Sequence, residues 1–223
     1  QGSVHHSLGI DKKDGVGVCE VFLTPSISLQ EIVQNGKHQN LDLLLSNIQD
    51  LLAEQTVNKI AADYYHISQW LEQNAASDYE FIIIDAPAST SPISINAILA
   101  ADLIIVPLEC EALAIKSLKR FLQAFKELQK NIEPGLRLAG ILLTMYDDEI
   151  LSHQQVCRQI YQTLGDSVFE TIIPNCPYIL EASSMGIDVI QRHLNSEGAT
   201  GYIRLANELL DRFLLPKSEE LIQ

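Results

Sequence analysis

The stretch "FIIIDAP", residues 81–87, decides the predicted fold class. Four large apolar residues are followed at once by a single acid, Asp85, then by a small residue and Pro87. An apolar run without polar alternation is typical of a strand that is buried on both faces of a parallel sheet. We therefore predict a buried strand over 79–84 that delivers the Asp85 carboxylate to its carboxyl end.

Apolar strands and helices alternate regularly after this stretch. Further strands are predicted over 102–107, 136–144 and 168–173, with a short one near 187–190. Helices are predicted over 92–100, 111–130, 149–164 and 198–214. Upstream, the pattern predicts a loop over 1–16, a strand over 40–46 and helices over 47–57 and 62–75. This alternation predicts an α/β fold with a doubly wound, mostly parallel sheet, forming one domain over 1–215 with a tail over 216–223.

Composition limits the class of function. The chain has 223 residues, and 47% of them are hydrophobic, so it can bury a sizeable core. It carries 29 acidic and 15 basic residues, a net charge of −14, which argues against avid binding to nucleic acid or acidic membranes. The four cysteines form no C-x-x-C pair, and no signal peptide or membrane-length apolar run is present. We expect a cytoplasmic protein with reduced thiols and no zinc site.

The predicted strand ends carry the candidate chemistry, because ligands of open parallel sheets bind outside the carboxyl ends of the strands. Asp85 and Pro87 follow the strand predicted over 79–84, Thr144 ends the one over 136–144, and Pro174-Asn175 follow the one over 168–173. An apolar strand that ends in Asp is the Walker B pattern, in which the carboxylate holds Mg²⁺ through water beside nucleotide phosphates. The alternative is that Asp85 caps the next helix, and the strand pattern alone leaves both open.

Longer stretches resemble one family. The segment from Asp78 to Leu118 resembles the central part of ParA/MinD-type partitioning ATPases, which are SIMIBI-class proteins with a deviant Walker A motif. The matching positions are Asp85, Pro87, Ser94, Asn96, Ala97, Asp102, Pro107, Cys110 and Glu111. "GILLTMYDD" (140–148), "VFETIIPNCPYILEASSMGIDVI" (168–190) and "GATGYIRLANELL" (198–210) are similar to later segments of the same family, in the same order.

The resemblance implies a P-loop NTPase fold and a partitioning function. It implies ATP binding and slow hydrolysis coupled to homodimerisation, with ATP/ADP and Mg²⁺ as cofactors, to segregate a plasmid, a chromosome region or another cargo. The expected partners are a second copy and a ParB-like activator, with weak non-specific DNA binding and no membrane. Asp85 would be the catalytic residue and hold Mg²⁺ through water, and Pro87 would shape the adjoining loop. Thr144, Pro174 and Asn175 match positions where the family forms its adenine pocket.

One half of the family's site is missing from the sequence. No G-x-x-x-x-G-K-[ST] phosphate loop is present; the single Gly-Lys pair, Gly36-Lys37, is followed by His38. The resemblance places that loop before the Gln-Gly dipeptide with which this chain starts. We therefore expect the first βαβ unit, on the order of 30–40 residues, to be absent, and the chain as given to be inactive.

Two alternatives to an ATPase follow from the residues. A non-catalytic ParA-like scaffold is the main one, whereas a cysteine-dependent assembly factor is disfavoured because the four cysteines show no pairing. The predicted helix over 111–130 carries five cations within about a third of its circumference: Lys116, Lys119, Arg120, Lys126 and Lys130. A solvated helix surface is favoured over a DNA track, because the chain is so acidic and Asn175 stands where many members have Arg.

Overall fold

The computed structural model describes residues 4–10, 16–48, 50–75 and 78–214. The chain divides into two compact units. The first comprises Gln1–Asp102 with Ser184–Gly186, and the second comprises Leu103–Ser183 with Ile187–Gln223. The predicted tail over 216–223 lies outside the described residues, and the single domain over 1–215 stays a prediction.

The first unit is mostly helical. Its elements are α1 (Val4–Ser7), α2 (Val18–Leu23), α3 (Leu29–Ile32), β1 (Gln34–Asn35), β2 (Asp42–Leu43), α4 (Leu51–Ile60), α5 (His66–Asn74) and α6 (Pro92–Leu99). Strands β1 and β2 form a short antiparallel pair. The strand predicted over 40–46 is thus reduced to β2, and the loop predicted over 1–16 contains α1 in its described part.

The first unit is held together by one apolar core and one buried amide. Trp70 lies in that core, and its indole N–H donates to the carbonyl oxygen of Ile27 at 2.9 Å. Asn96 of α6 is fully buried. Its amide nitrogen donates to Ala61 O at 2.7 Å and its amide oxygen accepts from Ile67 N at 3.3 Å, which ties α6 to the ends of α4 and α5. These bonds offset the cost of burying a polar side chain.

The prediction of a buried strand over 79–84 is wrong for this structure. The segment belongs to neither sheet, and Phe81, Ile82 and Ile83 are 57%, 44% and 94% exposed. A strand forms only when its backbone groups pair with a neighbouring strand. Among the described residues this segment has no ladder partner, so the apolar run is exposed instead of buried.

The second unit contains the parallel sheet. Its elements are β3 (Ile104–Glu109), α7 (Ala112–Asn131), β4 (Leu138–Thr144), α8 (Leu151–Leu164), a 3₁₀ turn (Gly165–Ser167), α9 (Pro177–Ser184), α10 (Val189–Arg192), α11 (Glu197–Leu209) and a π-helical turn (Leu210–Leu214). Strands β3 and β4 are parallel, with Glu109 opposite Thr144. On the other side of β4, residues 168–173 run parallel to it, because Phe169 N donates to Ile141 O at 3.0 Å and Ile173 N to Leu143 O at 2.9 Å.

Helices cover both faces of this sheet. On one face Ile141 and Leu143 pack in a core with residues of α7 and α8 such as Leu118 and Ile160. On the other face Leu142 packs in a core with side chains of α11. The predicted α/β class with a doubly wound parallel arrangement is confirmed in this unit.

The short strand predicted near 187–190 is wrong, because α10 occupies that position. Asp188 caps this helix, and its carboxylate accepts from Gln191 N at 2.8 Å. A capping acid favours a helix start over a continued strand.

No helix among the described residues is both long and apolar enough to cross a membrane.

Glu208 fastens α11 to the strand-like segment 168–173. Its two carboxylate oxygens accept from the backbone N–H groups of Glu170 and Thr171 at 2.8 and 2.9 Å. Arg212 pairs with Glu208 at 2.6 Å and lies over the Phe169 ring. Burial opposes ionisation of Glu208, but the hydrogen bonds and the arginine outweigh it, so the pKa of Glu208 is lowered.

Glu208→Gln is expected to lower the free energy of unfolding by about 1–2 kcal/mol at neutral pH, because a charged acceptor of backbone N–H groups is lost. A lowered pKa in the folded state stabilises the protein fully above the ordinary carboxyl pKa. This contribution disappears as pH falls through the lowered value. The difference between wild type and variant should therefore shrink in acid.

Urea unfolding at a series of pH values measures this difference. The exposed Glu72→Gln is the control and should match wild type throughout. If the loss in free energy of unfolding caused by Glu208→Gln does not change with pH, this would contradict the role assigned to the carboxylate charge.

Candidate functional site

Asp85 is exposed at the end of the apolar run, and it forms no hydrogen bond or ion pair with any other described residue. The next helix, α6, is capped by a different side chain. Its N-cap is Ser91, whose Oγ accepts from Ser94 N at 3.4 Å, and Pro92 occupies the first helical turn. The geometry therefore does not support the alternative that Asp85 is a helix cap.

A serine network fixes the loop behind Asp85. Ser94 is 1% exposed, and its hydroxyl donates to Pro87 O at 3.1 Å. Its Oγ also lies 2.7 Å from Ser89 Oγ and 3.1 Å from Ser91 Oγ. Ser89 N donates to the same Pro87 carbonyl at 2.7 Å. The Pro87 carbonyl, two residues after Asp85, thus accepts a hydrogen bond from a buried hydroxyl, although Pro87 is exposed.

Sequence reasoning did not find the roles of Ser89 and Ser91. The available signal was the occurrence of three serines within six residues around a proline-started helix, since short hydroxyl side chains bond to nearby backbone. The sequence identifies Ser94 only as a position that matches the family.

Thr144, Pro174 and Asn175 come together in the second unit. Thr144 ends β4, and the hydrogen bonds continue beyond the strand: Tyr146 N donates to Ile173 O at 3.2 Å and Asn175 N to Tyr146 O at 2.7 Å. The three predicted residues therefore share the carboxyl edge of the parallel sheet. Asp85 and Pro87 belong to the first unit.

Two thiols adjoin this edge: Cys110 is buried and Cys157 is partly buried. Cys110 N donates to Thr144 O at 3.2 Å. Burial raises the pKa of Cys110 to about 11, and burial also raises the pKa of Cys157. The thiolate is the reactive form of cysteine, so neither thiol is suited to nucleophilic or redox chemistry near neutral pH. No disulfide joins the four cysteines.

Mg²⁺ and nucleotide phosphates require different groups from the protein. Among the described residues, no group of three or more His, Cys, Asp or Glu side chains could hold a metal directly. A single exposed carboxylate such as Asp85 suits a hydrated Mg²⁺, which keeps several of its waters. The phosphates need a loop of backbone N–H groups with a lysine, and the sequence contains no such motif. The residues therefore fit a hydrated Mg²⁺ at one carboxylate and do not fit nucleotide phosphates.

Comparisons with known proteins agree on the family. The family model described as an AAA domain matches residues 1–138. The chain is 40% identical over 134 residues to the chromosome-partitioning ATPase Soj of Thermus thermophilus, covering 60% of this chain and 54% of that protein. It is 31% identical over 209 residues to the sporulation initiation inhibitor protein Soj of Bacillus subtilis, covering 94% and 82%.

A solved structure supports the same fold. The crystal structure of cobyrinic acid a,c-diamide synthase from Mycobacterium smegmatis with bound ADP and magnesium superimposes with a TM-score of 0.76 and 28% identity. The match covers 94% of this chain and 78% of that one. The predicted P-loop NTPase-like fold is confirmed.

The chain belongs to the ParA/MinD-type family of partitioning ATPases, as the sequence resemblance indicated. It spans about half the length of the Thermus thermophilus relative. The roles of Asp85, Pro87, Thr144, Pro174 and Asn175 stay predictions.

The variants Asp85→Ala and Ser91→Ala distinguish between two roles for Asp85, a ligand-facing acid and a helix cap. Ser91→Ala should lower the free energy of unfolding by about 1 kcal/mol, because the cap of α6 is lost. Asp85→Ala should leave it nearly unchanged, because the side chain is exposed and forms no hydrogen bond or ion pair with another described residue. Urea unfolding of the two variants and wild type checks this, and an equal loss in both would return Asp85 to a structural role.

Proposed function

We propose that the parent function of this chain is that of a ParA-like partitioning or positioning ATPase, in which ATP binding and slow hydrolysis are coupled to dimerisation; the chain as given lacks the phosphate-loop motif. The observation that carries the proposal is Asp85: an exposed carboxylate at the end of an apolar run, not used for capping or pairing by the described residues. Membership of the ParA/MinD-type family supports it. The cargo would be a chromosome region, a plasmid or another large body.

Each predicted residue has a role in this proposal. Asp85 would hold and orient water bound to Mg²⁺, which is the Walker B function. The serine network would keep Pro87 and the loop in place, so that the carboxylate is preorganised. Thr144, Pro174 and Asn175 would form the adenine side at the carboxyl edge of the sheet. Mg-ATP, when bound, would supply the phosphoryl group that is hydrolysed.

The proposed partners follow from the family and from the charge. They are a second copy of the chain and a ParB-like activator, in the cytoplasm. The names of two relatives, chromosome-partitioning ATPase and chromosome partitioning protein ParA, support a partitioning role. DNA would bind only weakly, because the net charge is −14.

A non-catalytic ParA-like scaffold is the second candidate. The observation that favours it is the lack of a phosphate-loop motif in the sequence, which removes the groups that hold ATP phosphates in this class of site. Such a scaffold would dimerise or bind a partner without turning over nucleotide.

A chimera tests the ATPase proposal. A phosphate-loop unit from the ParA family is joined before Gln1, and steady-state phosphate release is measured with Mg-ATP. We expect slow turnover, and Asp85→Asn should lower it by about 100-fold, because a metal-positioning charge is lost. The exposed Asp211→Asn, with the same change in charge, is the control and should leave turnover unchanged.

The two candidates give different results in this assay. A chimera that binds Mg-ATP without turnover favours the scaffold. Turnover that survives Asp85→Asn would remove Asp85 from the proposed site.

Binding of duplex DNA by the 223-residue chain should be undetectable at physiological salt, because the phosphate backbone requires concentrated positive charge. Fluorescence anisotropy with a labelled duplex over a salt series measures this. Salt-sensitive binding that disappears when Lys116, Lys119 and Arg120 are changed to Glu would show that the cations of α7 form a DNA-binding track.

A further inference from the structure

The second unit has an apolar groove of about 420 Å³ at the amino end of β4. One wall is α7, the floor is the start of β4 with the residues before it, and the far wall is the end of α8 with the following 3₁₀ turn. Its apolar lining consists of Leu122, Phe125, Leu136, Leu138, Ile141 and Leu164. Its volume lies in the range of small-molecule sites, about 300–1,000 Å³.

The α7 wall is one face of a rigid helix. Four lining residues lie at positions 122, 125, 126 and 129, a spacing that puts them on one side of a helix. Gln129 is fixed there, because its amide nitrogen donates to Leu136 O at 2.9 Å. Phe125, Leu136 and Ile141 are almost completely buried, so the floor is packed and well defined.

The groove is lined by positive charge, whereas the chain as a whole is negatively charged. Its charged lining residues are Lys126 and Arg137, and no acidic residue lines it. Neither cation forms an ion pair with another of the residues that the structure describes. In a chain of net charge −14, an apolar cleft bordered by two unpaired cations is complementary to a ligand with an apolar body and an anionic head.

The geometry points to a binding site for a small anionic amphiphile, and we propose that this groove takes one. The apolar body would lie between α7 and Leu164, and the anionic head would contact Lys126 and Arg137. The phosphates of a nucleic acid could pair with the two cations, but a nucleic acid has no apolar body to fill the cleft. An anionic amphiphile satisfies both features.

This groove is separate from the proposed nucleotide edge. Leu138 begins β4 and Thr144 ends it, so the two ends lie about 20 Å apart at about 3.3 Å per residue. Binding in this groove requires no nucleotide, so it can be measured whether or not the chain binds ATP.

Calorimetric titration with dodecanoate tests the site on the 223-residue chain. We expect saturable binding of one dodecanoate per chain below its micelle concentration. Dodecyltrimethylammonium, which has the same tail and a cationic head, is the matched ligand control. It should bind at least about tenfold more weakly, because its head meets like charges.

Matched charge variants test the residues. Lys126→Glu with Arg137→Glu should weaken dodecanoate binding by at least about tenfold, since the head loses both partners. Lys116→Glu with Lys119→Glu, on the same helix but outside the groove, makes the same change in net charge and should leave binding unchanged. All four side chains are exposed, and circular dichroism melting verifies that the variants fold.

Four results would overturn the proposal. The first three are no saturable binding of dodecanoate, equal affinity for the two amphiphiles, and equal loss of affinity in the two double variants. A chain ending at Leu214 that binds dodecanoate at least about tenfold more tightly than the full chain would also overturn it. That result would assign the groove to residues 215–223.

Discussion

The parallel pairing of β4 on both sides is the interaction on which the second unit depends. β3 pairs along one side and residues 168–173 along the other, so three chain segments run in the same direction. Gly140 permits this arrangement, because a Cβ there would lie 3.0 Å from the ring of the buried Phe169. Parallel direction sends all three carboxyl ends to one edge, which is why residues distant in sequence meet there.

Strand β4 separates the two sites that we propose, the adenine side and the apolar groove. Its carboxyl end carries Thr144, and the backbone bonds beyond it position Pro174 and Asn175. Its amino end forms the floor of the apolar groove. Because β4 is buried along most of its length and packed by helices on both faces, it is a rigid spacer between these ends. Glu208 adds to this rigidity by fastening α11 to the neighbouring segment.

The sequence predicted local structure well where local signals were strong. Helices α6, α7, α8 and α11 begin within two residues of their predicted starts, because the alternation of apolar strands with helical periodicity marks them. The same reasoning failed at 79–84, since an apolar run shows that a strand could be buried but not that partner strands are available. It failed at 187–190 because the Asp188 cap was not recognised. The family motif selected Asp85, whose role stays a prediction, whereas the serine network depends on packing distances. The groove combines α7, β4 and the end of α8, which no local pattern links.

Our central proposal is that Asp85 is the metal-side acid and Thr144, Pro174 and Asn175 the adenine side of a ParA-type site, for which this sequence contains no phosphate-loop motif. Phosphate contacts supply most of the affinity in such sites. Isothermal titration of the 223-residue chain with ATP and Mg²⁺ tests the claim most directly. The account predicts a dissociation constant weaker than about 0.1 mM, since the sequence contains no phosphate-loop motif to bind the phosphates. Micromolar affinity would contradict it.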